Sequence, residues 1–142
     1  MKFIYLTALV LLPFFSFSQS IVSYHQSPNG GEVSYAYELK DKFRPEIRLY
    51  PNTIIDDFFV KLMFNYDWVE KTDYEFYSGI SLLGSTTGRA TFGLPLGLNI
   101  YPFENKSFGF LMEIAPSFPF GEGNGAYFTG SWGIRYRFNK KE

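Results

Sequence analysis

The stretch that decides the fold is Tyr127-Phe128-Thr129-Gly130-Ser131-Trp132-Gly133-Ile134-Arg135-Tyr136-Arg137-Phe138. Phe128, Trp132, Ile134, Tyr136 and Phe138 share one parity, while Thr129, Ser131, Arg135 and Arg137 share the other. Successive side chains of a β-strand point to opposite faces, so this segment reads as a strand with one apolar and one polar face.

The same parity recurs upstream in segments of about ten residues divided by turn clusters. The spacing predicts strands over 21–26, 33–40, 43–50, 58–68, 74–83, 91–101, 107–118 and 127–138. Turn residues lie between them, such as Ser27-Pro28-Asn29-Gly30-Gly31, Lys71-Thr72-Asp73 and Gly121-Glu122-Gly123-Asn124-Gly125. No sustained helical period is present. The expected fold is all-β: an eight-stranded antiparallel up-and-down transmembrane β-barrel. Pro45, Pro95 and Pro116 fall inside these segments and oppose regular pairing there, because a closed barrel has no free edge to accept a missing N–H.

The start of the chain points to export. Lys2 precedes an apolar run from Phe3 to Phe15, and Ser16-Phe17-Ser18 places small residues where a signal peptidase cuts. Residues 1–18 are therefore expected to be a cleaved signal peptide, with 19–142 the barrel domain. That apolar run is shorter than the ~20 residues of a spanning helix, and no second one follows. The sequence has no cysteine, which excludes disulfide staples and a lipobox. A formal net charge of −1 gives no nucleic-acid signal.

Which face points inward follows from volume. Aromatic residues make up 21% of the chain and crowd the apolar face. The interior of an eight-stranded barrel is only just wide enough for ordinary side chains. The rings must then face out, and the polar face, rich in Gly, Ser and Thr, must face in. That polar face carries Glu38, Glu46, Asp67, Glu75 and Glu113 against Lys40, Arg44, Arg48, Lys61, Arg135 and Arg137. Buried charges are costly unless paired, so an interior charge network occluding the lumen is expected. An aromatic girdle at the rims would comprise Phe58, Tyr66, Trp68, Tyr74, Phe92, Phe118 and Phe128, flanking an aliphatic band.

With these residues in hand, the chain resembles the small eight-stranded outer-membrane β-barrel family, including the barrel domains of outer membrane protein A and outer membrane protein X. The resemblance is one of pattern over nearly all of residues 19–142. It implies a location in the outer membrane of a Gram-negative cell, contact with outer-membrane lipid, and insertion by the barrel-assembly machinery. Trp132, Ile134, Tyr136 and Phe138 resemble the family's C-terminal insertion signal, although Asn139-Lys140-Lys141-Glu142 follow the final aromatic. It says nothing of a protein partner.

Candidate chemistry is sparse. His25, the single histidine, has no serine in a recognisable motif and reads as a rim or loop residue. Asp56-Asp57 lacks the further oxygen ligands of a calcium site. The glycines of 121–125 do not open a helix, so a phosphate cradle is not expected. Arg44-x-Glu46-x-Arg48 reads as part of the interior ion-pair ladder rather than a selectivity filter. No catalytic residue, metal ligand or cofactor is expected. The leading reading is a non-enzymatic, porin-like outer-membrane barrel with a structural or interaction role. The alternatives are an exported soluble lipocalin-like barrel for a small apolar ligand, and an outer-membrane lipid-modifying enzyme based on His25.

Overall fold

The computed structural model describes residues 19–40, 42–51, 57–121 and 125–138. The signal-peptide segment 1–18, Asp56, residues 122–124 of the glycine loop and the tail 139–142 lie outside the described residues.

The strands are β1 (Gln19–Ser27), β2 (Gly30–Glu38), β3 (Phe43–Leu49), β4 (Phe59–Glu70), β5 (Tyr74–Ser85), β6 (Ala90–Gly93), β7 (Leu96–Ile100), β8 (Phe108–Pro119) and β9 (Tyr127–Arg137). Consecutive strands pair antiparallel except β6 and β7, which each pair with β5 and β8, and β1 pairs with β9, so the sheet closes on itself. β6 and β7 are two halves of one staggered position, both lying between β5 and β8. The barrel is therefore eight-stranded. Full closure leaves no edge to recruit another strand.

The prolines explain the interruption. Pairing of β8 with β7 stops at Ile114, and its pairing with β6 resumes at Ser117. Pro116 faces that gap, and Pro95 sits in it on the opposite side. Two residues without an N–H thus share a single break in the ladder. The break is bridged by Leu94 N to Pro116 O and Gly79 N to Pro95 O, each 3.0 Å. Pro45 pairs with Phe64 on β4, while the β2–β3 ladder begins only at Glu46, so no ladder bond to β2 is lost.

Strand β1 reaches further than its sequence pattern suggests. Ser27 pairs with Gly30, leaving Pro28-Asn29 as a two-residue turn. Gly30 leaves that turn at φ 121°, a conformation that costs other residues dearly. The tight hairpin extends the inward parity of β2 back to Glu32. Lys40, by contrast, is exposed in the next turn at φ 51° and does not belong to the interior set.

Large apolar side chains face outward all round: Val33, Ile47, Leu62, Phe64, Leu82, Leu96, Met112, Ile114 and Ile134 among them. Most charged and amide side chains of the strands, among them Glu38, Arg44, Arg48, Asn65, Glu75 and Asn99, face inward and are buried. This is inside-out relative to a soluble barrel, whose ionised groups are almost never buried unless paired.

Candidate functional site

Eight strands enclose a lumen, and its contents are the candidate site. Tyr77 on β5 lies across from Gly97 on β7. A Cβ at Gly97 would collide with the Tyr77 ring, so the glycine is what lets a tyrosine lie flat across so narrow an interior. The Tyr77 hydroxyl then donates to Glu113 Oε2.

Arg48 is the hub at mid-lumen. Its Nη1 and Nη2 donate to the two carboxylate oxygens of Glu113 at 2.9 and 2.7 Å, and its Nε donates to Glu46 at 2.6 Å. Bidentate, charge-assisted pairs of this kind are the strong ones. Asn65 donates to the other Glu46 oxygen at 3.1 Å. Glu32 lies 3.5 Å from Arg48 and 3.3 Å from Lys61.

A second cluster lies nearer the chain termini. Arg44 pairs with Asp67 at 3.1 Å and lies over the Tyr77 ring, which links the two clusters. Arg137 Nη2 reaches Glu75 at 3.2 Å and Glu38 at 3.0 Å, the latter an ion pair too skewed to count as a hydrogen bond. The Tyr101 hydroxyl donates to Glu75 at 2.6 Å, and Lys106 approaches Glu75 from the turn at 3.5 Å.

The expected interior residues Glu38, Arg44, Glu46, Arg48, Lys61, Asp67, Glu75, Glu113, Arg135 and Arg137 all point into this lumen, with Lys61 the most accessible at 17% side-chain exposure. Arg135 differs from the rest. It is buried, its Nε is unbonded, and among the described residues it forms no ion pair. Its guanidinium lies 5.9 Å from the centre of the Tyr101 ring.

Two members were not legible as interior. Glu32 falls before the expected start of β2. His25 is not at the rim: it is 2% exposed in the lumen, with Nε2 at 3.3 Å from Ser34 Oγ and 3.6 Å from Glu46 Oε1. The longer β1 places its odd-numbered residues inside, and the parity Ile21, Ser23, His25, Ser27 is the signal that could have found it.

Of the girdle residues, Tyr66, Trp68 and Tyr74 stand exposed near the terminal end of the barrel, and Phe118 and Phe128 are exposed near the other end. Phe92 is half-buried beside Phe118, their centroids 6.4 Å apart, and Phe58 is half-buried just before β4. Sorting by height is incomplete, since Phe64 (opposite Ile80) and Trp132 (opposite Met112) sit among the aliphatics. Trp132, Ile134, Tyr136 and Phe138 all face outward. Asp57 is a loop lock. Its carboxylate accepts from Thr86 Oγ1 at 3.1 Å and from Thr87 Oγ1 at 2.8 Å. Slight desolvation pushes its carboxyl up, but the bonds from Thr87 and Thr86 outweigh it and hold it below the usual carboxylate value. Among the described residues no cluster of His, Cys, Asp and Glu could hold a metal ion.

This geometry has close counterparts among solved structures. The chain matches a de novo designed transmembrane β-barrel at TM-score 0.59 and 12% identity, covering 85% of this chain and 94% of the other. A second designed barrel, TMB2.3, matches at TM-score 0.59 and 12% identity, with 87% and 94% covered. The fold is that of a small transmembrane β-barrel. Neisserial surface protein A, a natural relative in shape, matches at TM-score 0.50 and 17% identity, with 85% and 94% covered. No protein-family model and no curated protein sequence matches. Identities this low relate the transmembrane barrel to these structures by fold alone.

Proposed function

We propose that the protein is an exported, non-enzymatic outer-membrane barrel with a structural or interaction role, its lumen closed by paired charges. The observation that carries this is the inversion of the barrel: large apolar side chains face outward around the wall, while six carboxylates and four arginines are buried within. In water such a surface would expose far more contiguous apolar area than a soluble monomer tolerates. In lipid it is the required arrangement, because the closed sheet satisfies every backbone group internally. Residues 1–18 would be removed on export, and the outward-facing Trp132, Ile134, Tyr136 and Phe138 would be read by the assembly machinery.

A soluble lipocalin-like barrel would need its rings inside and its charges outside, the reverse of what is seen. The enzyme alternative gains nothing from His25. Its serine and its carboxylate both approach the same nitrogen, Nε2, whereas a relay needs one on each nitrogen. The ring also lies in the lumen, away from the lipid boundary where an acyl substrate would sit.

Fractionation with gels run with and without boiling tests the reading. The protein should enter the membrane fraction and shift in mobility on heating. Recovery in the soluble periplasmic fraction with no heat-dependent shift would overturn it. In planar bilayers the wild-type barrel should show no discrete conductance steps, because Arg48, Glu113, Tyr77 and Arg44 fill its middle. Regular, ohmic steps would contradict the closed lumen.

A further inference from the structure

The charge plug fills only part of the barrel. Beyond it, at the end away from the termini, the lumen opens into a blind cup. Its deep part is a cavity of about 40 Å³ floored by Glu32, Lys61 and Glu113 and walled by hydroxyls, including Ser81 and Thr91. It adjoins a mouth of about 340 Å³ lined by Asn29, Tyr50, Phe59, Leu83, Arg89, Thr91 and Tyr127.

We propose that this cup is a binding site for a single neutral sugar ring. The chemistry of the lining selects this class. Phe59 is half-buried and Tyr127 partly exposed at the mouth, while Tyr50 is buried behind them, 6.1 Å from Phe59 and capped by Lys61 at 5.3 Å. Such ring surfaces accept the C–H face of a pyranose. Asn29, Arg89 and Thr91 supply donors and acceptors around it, and the Thr91 and Ser81 hydroxyls make no hydrogen bond among the described residues. Ser117 and Thr129 donate to Ala115 O at 3.3 and 3.2 Å and keep their lone pairs for a ligand hydroxyl.

Other classes fit worse. The floor carboxylates are engaged, Glu113 by Arg48 and Tyr77 and Glu32 by Lys61, so a cation finds no free charge. An anion would find Arg89 at the mouth, but in the floor Lys61 is already held by Glu32 and the two carboxylates oppose it. A purely apolar ligand would strip water from a wall of hydroxyls without replacing its bonds. The inference rests on the lining alone and holds whichever way the barrel is oriented in a membrane.

The sugar could be free or carried on a lipid, and the test separates these sources. The full barrel would be held in phosphocholine detergent and followed by backbone NMR. It would be titrated with methyl α-glucopyranoside, methyl β-galactopyranoside or glycerol, and separately mixed with vesicles containing a hexose-headed lipid. The account expects saturable millimolar shifts at Asn29, Leu83, Thr91 and Tyr127 for at least one sugar, free or lipid-borne, and none for glycerol. Tyr127→Ala and Thr91→Val should each weaken binding about fivefold while keeping the heat-dependent gel shift. Absence of saturable shifts at these positions with every sugar source would overturn the proposal. So would shifts equal to those from glycerol, or unchanged affinity in both folded variants. A failed gel shift in the wild type would instead overturn the membrane reading and leave this site to be judged by its own titration.

Discussion

Replacing Arg48 with Met should cost about 3–5 kcal/mol of unfolding free energy, the range for removing one partner of a buried ion pair. Arg48 is 1% exposed and directly contacts Glu46, Glu113 and Glu32. Its loss leaves three buried carboxylates with Lys61 as their remaining close cation. The double variant Arg48→Met/Glu113→Gln should recover much of that loss, since a neutral amide can keep the Tyr77 hydroxyl as a hydrogen-bond partner. Arg135→Met supplies the contrast. Arg135 is also buried but forms no ion pair among the described residues, so its removal should be neutral or stabilising. Urea unfolding in lipid vesicles with linear extrapolation measures all three. Equal losses for Arg48→Met and Arg135→Met would mean that burial, not pairing, sets the energetics of the plug.

The second large effect concerns two glycines three residues apart on β9. A Cβ on Gly133 would run into the backbone carbonyl of Tyr24 on β1, which no rotamer change can relieve. A Cβ on Gly130 faces outward, with Glu113 O the nearest atom at 3.9 Å. Gly133→Ala is therefore expected to cost about 3 kcal/mol or block folding, at the upper end of overpacking penalties, because it pushes apart the seam where β9 meets β1. Gly130→Ala should stay within about 0.5 kcal/mol of the parent. The fraction refolded into detergent, read from the unboiled gel band, distinguishes them. Equal refolding yields would show that the seam has slack that the structure does not display.

The two cases separate what was legible from what was not. Strand parity is local, and it carried eight segments and the direction of most side chains. Which charge meets which is not local. Arg48 and Glu113 are 65 residues apart, and their meeting depends on strand tilt and stagger that parity does not encode. Glu32 and His25 escape the sequence pattern for a different reason. The run Ser27-Pro28-Asn29-Gly30-Gly31 looks like a long turn, but the chain uses only Pro28-Asn29 and returns the rest to the strands. The prolines looked disruptive one at a time. Pro95 and Pro116 become compatible with a closed sheet only when the closed topology brings them to the same gap.

A barrel inverted in this way presents its outer wall to lipid. The chain has only two tryptophans, both outward and exposed, Trp68 at 63% and Trp132 at 65%. Trp132 sits at mid-height opposite Met112, and Trp68 near the turn that joins β4 to β5. In vesicles made with phosphatidylcholine brominated at different depths, Trp68→Phe leaves Trp132 as the sole reporter, and Trp132→Phe leaves Trp68. The account predicts that Trp132 is quenched most by deep bromines, Trp68 by shallow ones, and Trp132 hardly at all by aqueous iodide. Strong iodide quenching of Trp132 with no response to bromine at any depth would contradict it.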